Sequence, residues 1–124
     1  MDTIFGKMKF DYGWESPYDF ELFGKKYKIL LRAEADNETD GISDKQEQSF
    51  EIYQTKKATY SKLTQILLET SIDDFEAANY KPTTLLFQQN GEFTILLDDR
   101  QNEDDGIAVV LFPNAYVTTQ DYYL

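Results

Sequence analysis

Hydrophobic and polar residues alternate along much of the first third of the chain, and this period of two predicts β-strands there. Tyr27, Ile29 and Leu31 share one face of such a strand, because successive side chains point to opposite sides. The dipeptide Gly24-Lys25 lies between two alternating segments and predicts a hairpin turn. The predicted strands of this part are 4–10, 19–23 and 26–35.

From Ser43 onward the apolar residues recur every three or four positions, which predicts a helix from 44 to about 69. Ser43 and Gln46 have the spacing of a capping box, in which each side chain satisfies a backbone amide of the other. A shorter second helix is expected from its cap at Ser71 to Tyr80. Lys81-Pro82 would end it, because the residue before proline avoids the helical region.

The last third of the chain again predicts strands, at 83–88, 92–97 and 106–112, with an edge strand at 116–119. Asn90-Gly91 is the strongest hairpin signal in the chain. Residues 106–112 are almost continuously apolar, which is typical of a strand covered on both faces. We therefore expect one α+β domain spanning 1–124, with a mostly antiparallel sheet of about six strands. One long helix and a short second helix would pack on one face, in the order βββ-α(α)-βββ.

Composition supports a folded chain and removes several classes of chemistry. Nine Phe, nine Tyr and one Trp supply apolar area, which disordered acidic proteins lack. The sequence contains no Cys and no His, so a Ser-His-Asp or Cys-His catalytic arrangement is impossible within this chain. We expect no enzymatic activity. No apolar run is long enough for a signal peptide or a transmembrane helix, and a cytoplasmic protein without membrane contact is expected.

The negative charge is concentrated in two segments, 36–47 and 98–105. Each holds five carboxylates against one base, within a chain of formal net charge −11. Clustered carboxylates focus a negative field that attracts cations or basic protein surfaces. Nucleic acid is not an expected partner, because phosphate contacts require a basic face.

The first acidic segment approximates the ligand spacing of an EF-hand calcium loop. In that loop oxygen ligands occupy positions 1, 3, 5, 9 and 12 around a glycine at position 6. Those five positions correspond here to Asp36, Glu38, Asp40, Asp44 and Glu47, with Gly41 at position 6. Ile42 occupies position 7, whereas the loop normally has its hydrophobic residue at 8, and a strand rather than a helix precedes the segment. The alternative is a polar loop leading into a helix whose first turn favours acids.

The second acidic segment connects two predicted strands and does not fit the calcium spacing. Its carboxylates are Asp98, Asp99, Glu103, Asp104 and Asp105. A carboxylate pair can hydrolyse glycosides, but this requires a concave site that the sequence does not indicate. A solvated hairpin loop is the simplest interpretation. The functional interpretation is a docking loop for a basic protein, since binding residues concentrate on loops of rigid scaffolds.

An aromatic cluster between the first two predicted strands is a second candidate contact surface. It includes Tyr12, Trp14, Tyr18 and Phe20, near Gly13 and Pro17. Trp is enriched at binding hot spots, so Trp14 is a candidate partner-binding residue. The simpler interpretation, however, is that most of this cluster belongs to the core or its rim.

Several motifs together resemble an uncharacterised family of small acidic bacterial proteins. The motifs are residues 81–87 (KPTTLLF), 97–99 (LDD), 105–110 (DGIAVV), 119–121 (TQD), 10–14 (FDYGW) and 41–43 (GIS). The resemblance covers nearly the whole chain and implies no activity and no catalytic residues. By analogy, similar small acidic bacterial α+β proteins often act as immunity proteins against toxins.

These observations favour a non-enzymatic protein-binding module, most concretely an immunity-type inhibitor. Its acidic loop would mimic phosphates and occupy the cleft of a basic nuclease. A calcium-binding module using the 36–47 segment is the alternative, and a carboxylate-dependent hydrolase is a third. If a single long helix connects the third and fourth strands, the two acidic segments lie at opposite ends of the sheet. A second helix folding back could reverse this arrangement.

Overall fold

The computed structural model describes residues 2–3, 6–11, 13–101 and 106–119. Its helices are α1 (Asp44–Thr55) and α2 (Lys57–Ser71). Its strands are β1 (Asp2–Thr3), β2 (Gly6–Lys7), β3 (Lys9–Phe10), β4 (Trp14–Leu22), β5 (Lys25–Ala33), β6 (Tyr80–Phe87), β7 (Phe93–Asp99), β8 (Ile107–Phe112) and β9 (Tyr116–Thr119). Within these residues, neither helix is long and apolar enough to cross a membrane.

The α+β class and the mostly antiparallel sheet are confirmed. The main sheet has seven strands rather than about six, and they lie side by side in chain order from β3 to β9. β1 and β2 form a separate two-stranded ribbon. One pair is parallel, β5 with β6, and a parallel pair needs a crossover connection. α1 and α2 supply that crossover, so both helices pack on one face, where their buried residues share a cluster with those of the sheet.

Strand directions define two ends of the main sheet. β5 and β6 both finish at one end, where Ala33 lies beside Phe87 and the turn at Asn90 and Gly91 follows. This is called the Gly91 end. β7 runs away from it and finishes at Asp99, opposite Tyr80 at the start of β6, and this is called the Asp99 end. The segment 36–47 follows β5 and therefore lies at the Gly91 end, whereas Asp98 and Asp99 lie at the other.

Two prolines occur inside strands that were predicted to begin after them. β4 begins at Trp14 instead of residue 19 and contains Pro17, while β6 begins at Tyr80 instead of 83 and contains Pro82. Proline has no N–H to donate, so it is tolerated where a strand has a neighbour on one side only. β3 pairs only with residues 14 and 15 of β4, and β5 pairs with β6 only from Thr84 onward. Both prolines therefore occupy locally open edges.

The β4–β5 hairpin turn is centred one residue earlier than predicted. Leu22 pairs with Lys25, and the two central residues, Phe23 and Gly24, have φ values of 54° and 73°. Positive φ at both central positions is the geometry whose twist matches a two-residue hairpin. Positive φ is unfavourable for Phe23, whose ring packs against Phe75 with centroids 5.6 Å apart. The contact between the Phe23 and Phe75 rings therefore accompanies a positive φ that the sequence pattern does not predict.

The predicted single helix from 44 to about 69 is wrong at Lys56, where α1 ends and α2 begins. Lys56 has φ −125° and ψ 28°, outside the helical region, although neither proline nor glycine is nearby. Just before the break, the Thr55 hydroxyl donates to the carbonyl of Glu51 at 2.9 Å. Such bonds to the preceding turn often bend helices, but Thr64 makes the same bond within the unbroken α2, so this bond alone does not explain the break. α2 also runs two residues further than predicted, to Ser71.

The predicted short helix from Ser71 to Tyr80 is also wrong. Asp74 adopts a left-handed conformation with φ 53°, and the remaining helical structure is a three-residue 3₁₀ turn, Ala77–Asn79. Phe75 lies between two elements, and its ring stacks on Tyr80 with centroids 5.3 Å apart. Anchoring of this side chain to the sheet favours an irregular connection over a helix.

The core is built around an aromatic cluster between the helices and the middle of the sheet. Tyr53 and Tyr60 stack with ring centroids 5.9 Å apart, and both meet Phe93 edge to face. Phe87 lies beside Phe93, with centroids 5.1 Å apart. Edge-to-face and offset arrangements of this kind are favourable beyond the area that they bury. β8 is buried on both faces, as its continuous apolar sequence predicted.

The side chain of Gln46, fully buried, ties α1 to the ends of the two parallel strands. Its amide nitrogen donates to the carbonyls of Glu34 and Phe87, at 2.9 and 3.0 Å. Its amide oxygen accepts from the backbone N–H of Ser43 at 2.8 Å, which completes the predicted capping box. Ser43 and Ser49 extend the attachment, since their hydroxyls donate to the carbonyls of the 88–91 turn. The two side chains of the capping box therefore also connect α1 to the sheet.

Replacement of Gln46 is expected to be among the most destabilising changes in α1. Gln46→Leu leaves the Ser43 N–H and the Glu34 carbonyl, both half-buried, without these partners, and an unsatisfied group costs up to about 1–3 kcal/mol. We expect the free energy of unfolding in urea to fall by about 2–4 kcal/mol. Gln48→Leu, at an exposed position of the same helix, is the matched control and should change it by less than about 0.5 kcal/mol. Equal effects of the two substitutions would contradict this role.

Alkaline pH is expected to destabilise the fold through its buried tyrosines. Burial, and secondarily the nearby Tyr18, raises the pKa of Tyr53 well above its usual value of about 10. Burial also raises the pKa of Tyr60 and Tyr80. Above about pH 10 the unfolded chain loses these protons while the folded chain keeps them, so stability falls by up to about 1.4 kcal/mol per pH unit for Tyr53.

Urea titrations at pH 7.5 and 11 measure this effect. Tyr53→Phe should show a smaller alkaline loss than the unmodified chain, whereas Tyr116→Phe, at an exposed position, should show the same loss. An unchanged loss in Tyr53→Phe would contradict the assignment to Tyr53.

Candidate functional site

Asp98 and Asp99 are the last residues of β7 and project at the Asp99 end. Asp98 lies opposite Lys81 on β6 and is exposed, while Asp99 lies opposite the buried Tyr80 and is half-buried. Burial, and secondarily the charge of Asp99, raises the pKa of Tyr80. The two carboxylates are therefore carried by a strand in the interior of the sheet, which pairs with β6 alone at residues 98 and 99.

Backbone hydrogen bonds hold the start of the loop that follows. The N–H of Arg100 donates to the carbonyl of Asn79 at 2.8 Å, which joins this loop to the α2–β6 connection. The N–H of Gln101 donates to the carboxylate of Asp99 at 2.9 Å, a local turn typical of aspartate. The first part of the acidic loop is thus fixed relative to the sheet. Glu103, Asp104 and Asp105 lie outside the described residues.

The α2–β6 connection brings further carboxylates to the same end, and the sequence analysis did not include them. Asp73, Asp74 and Glu76 are exposed and flank Phe75, whose ring stacks on Tyr80 at the start of β6. Five of the described carboxylates at this end are called the acidic end: Asp73, Asp74, Glu76, Asp98 and Asp99. Glu21, which pairs with Lys26 beside the β4–β5 turn, lies at the same end of the sheet. The sequence does contain a signal for this arrangement. The three acids of the connection precede the predicted strand 83–88, and a hairpin of that strand with 92–97 brings the residues before 83 close to those after 97.

The described ion pairs lie elsewhere, on the face of the sheet opposite the helices. Arg32 contacts Glu15 across the β4–β5 pair and Glu34 at 2.9 Å, and its guanidinium covers Gly13. A Cβ at Gly13 would approach the guanidinium to 2.9 Å. This arrangement pairs one positive charge with the two carboxylates of Glu15 and Glu34 and holds the loop before β4. Within the described ranges, the carboxylates of the acidic end take part in no ion pair.

The 36–47 segment forms a helix start at the Gly91 end. A short 3₁₀ turn, Glu38–Asp40, is closed by the backbone N–H of Asn37, which donates to the carboxylate of Asp40 at 3.0 Å. Gly41 then turns the chain with φ 63° into the cap at Ser43. The five carboxylates proposed as calcium ligands, Asp36, Glu38, Asp40, Asp44 and Glu47, are all exposed. In the described part of the chain, no three acidic side chains converge on a common point that could hold a metal ion.

Trp14, the candidate partner-binding aromatic, is buried instead of exposed. It lies on the helix-covered face of β4, opposite Ala33, and meets Phe10 edge to face with centroids 5.3 Å apart. The expectation that this ring contacts a partner is not supported by its position, because only 5% of its surface is accessible. Alternation along a strand that begins at residue 14 explains the difference: Trp14, Phe20 and Leu22 share the inward face.

A groove of about 800 Å³ runs between α2 and the β4–β5 hairpin. Its charged rim holds three lysines, Lys26, Lys57 and Lys62, and three carboxylates, Asp19, Glu21 and Glu69. Since the two signs are balanced, the groove selects neither an anion nor a cation by charge. The acidic end is the more strongly biased surface and remains the better candidate site.

Comparison with protein-family models, with curated proteins and with solved structures produced no match to this chain.

Calcium is expected to leave the thermal stability of the protein nearly unchanged, because the 36–47 carboxylates do not converge. A site with a dissociation constant of about 0.1 mM would stabilise the fold by about 2 kcal/mol at roughly 5 mM Ca²⁺. We expect the Tm in 5 mM CaCl₂ to match, within about 1 °C, the Tm in NaCl of equal ionic strength. A rise of several degrees that Asp40→Asn abolishes would instead establish a calcium site in this segment.

Proposed function

We propose that this chain is a non-enzymatic protein-binding module that uses its acidic end to bind a basic protein surface. The observation that carries the proposal is the position of Asp98 and Asp99 at the end of β7, beside the exposed carboxylates of the α2–β6 connection, with no ion pair to any of the five in the described residues. Asp98 is the central residue, since it is exposed and belongs to a strand of the sheet. Glu103, Asp104 and Asp105 follow in the sequence and carry three further negative charges.

Charge at this position would act mainly on the rate of association. Electrostatically steered complexes form at up to 10⁸–10⁹ M⁻¹s⁻¹ at low salt, compared with about 10⁵–10⁶ for neutral surfaces. Lys81 and Arg100 lie beside the carboxylates and restrict the negative field to part of this end. A partner would therefore need its basic residues positioned opposite the carboxylates of the acidic end.

The most concrete form of the proposal is an immunity-type inhibitor that covers the basic cleft of a toxin. Carboxylates would occupy the positions of substrate phosphates, in agreement with the resemblance to small acidic bacterial proteins. A toxin encoded beside this chain is the natural candidate. Co-expression of the two should restore growth, and the substitutions described below should reduce that protection.

Binding is expected to depend on the acidic end and much less on net charge. The experiment first identifies the basic proteins that the immobilised chain retains at low salt. One of these proteins is then purified for kinetic measurement. Asp98→Asn with Asp99→Asn should lower its association rate constant by about three- to tenfold at low ionic strength, and the difference should shrink at 0.5 M NaCl. Asn at position 99 keeps an acceptor for the Gln101 amide.

The matched control changes the same charge at the opposite end of the sheet. Asp36→Asn with Glu38→Gln also removes two negative charges, from residues at the Gly91 end that are exposed. This variant should bind at nearly the unmodified rate. An equal decrease in the association rate constant of both variants would show that only overall charge matters. If the immobilised chain retains no basic protein at low salt, the proposal loses its main support.

A further inference from the structure

The strand β9 leaves one edge of the sheet open. Within the described part of the chain it pairs with β8 alone, from Tyr116 to Thr119, and without a bulge. The outward backbone N–H and C=O groups of an edge strand are a template for another strand. Natural proteins protect such edges with lysine, proline, inward-pointing charges or bulges. A very short strand is a further device of this kind. β9 has four residues, Tyr-Val-Thr-Thr, twice the length of β3, and carries no lysine, proline, charged residue or bulge.

The opposite edge of the sheet is protected. β3 is only two residues long and begins with Lys9. Beyond its reach, β4 has Pro17, which offers no N–H, and the exposed carboxylates of Asp19 and Glu21. One edge of the same sheet is therefore blocked against pairing, and the other is available.

Charge indicates which partner fits the open edge. Residues 106–120 contain no charged side chain, although the whole chain has a net charge of −11. A basic protein would gain nothing from this neutral surface. A second copy of the chain, in contrast, could approach here without bringing two sets of carboxylates together. Along this neutral edge, Tyr116 exposes 44% of its surface and is one of two large apolar side chains described as exposed.

We propose that two copies of this chain associate by antiparallel pairing of their β9 strands. The arrangement has two-fold symmetry, the commonest in homodimers, and joins the seven strands of each copy into one continuous sheet. Tyr116 lies on the face away from the helices, since it pairs with Val110. In the pair its ring packs across the joint against the last residues of the partner's β9.

The dimer would place its two acidic ends at opposite ends of the joined sheet, because paired strands run in opposite directions. Each acidic end stays accessible, so the proposed binding surface and the β9 edge are independent. Pairing over four residues is a small contact, below the usual size of a stable interface, and association should depend on concentration.

Sedimentation velocity over roughly 5–500 µM tests the pairing. The unmodified chain should shift from monomer towards twice the monomer mass. Tyr116→Lys with Thr119→Lys places charge at two exposed edge positions and should raise the dissociation constant at least about tenfold. Ile66→Lys, at the other exposed large apolar residue, is the matched control and should leave dimerisation unchanged. Thermal melting verifies that both variants are folded.

Hydrogen exchange locates the contact in the unmodified chain. Amides of residues 116–119 should exchange more slowly at high than at low protein concentration. A monomer throughout the concentration range, species larger than a dimer, or a dimer unaffected by the two lysines would each overturn the proposal.

Discussion

The fold depends on the carboxamide of Gln46, because it joins the start of the helical crossover to the ends of the two parallel strands. A parallel pair cannot be closed by a tight turn, so β5 and β6 need a separate connection across one face of the sheet. Gln46 satisfies the Glu34 and Phe87 carbonyls, where the two strands finish, and the Ser43 amide, where α1 begins. Loss of the carboxamide leaves the half-buried Ser43 amide and Glu34 carbonyl without these partners, whereas the Phe87 carbonyl keeps the Glu34 N–H.

Sequence patterns predicted the elements whose causes are local. The capping box at Ser43 and the turn at Gly91 follow from side chains within a few residues, and both are present. The break at Lys56 could not be predicted, because the residues on both sides favour a helix and the bend matters only once α2 contacts β4 and β8. The inclusion of Pro17 and Pro82 in strands could not be predicted either, since it depends on how far the neighbouring strand extends alongside each proline.

The candidate site was partly predictable, because local sequence patterns place some of its residues. Asp98 and Asp99 follow an apolar strand, and their place at a sheet end was evident from the pattern. The acids around Phe75 were missed because they belong to no charge run and lie near Asp99 only through pairing of β6 with β7. Burial of Trp14 agrees with the core interpretation of the aromatic cluster, and its inward position follows from a strand that begins at residue 14 instead of residue 19.

Sequential strand order also explains how charge is distributed over the molecule. In a sheet whose spatial order matches its chain order, the connections lie at the two ends, and the first and last strands form the two edges. Carboxylates concentrated in connections must then lie at the ends, far from the middle of an edge. The neutral run from 106 to 120 crosses β8 and β9, so the charge-free surface is the last edge. The two ends of the sheet and its β9 edge are separate surfaces, so binding at an end leaves the edge available.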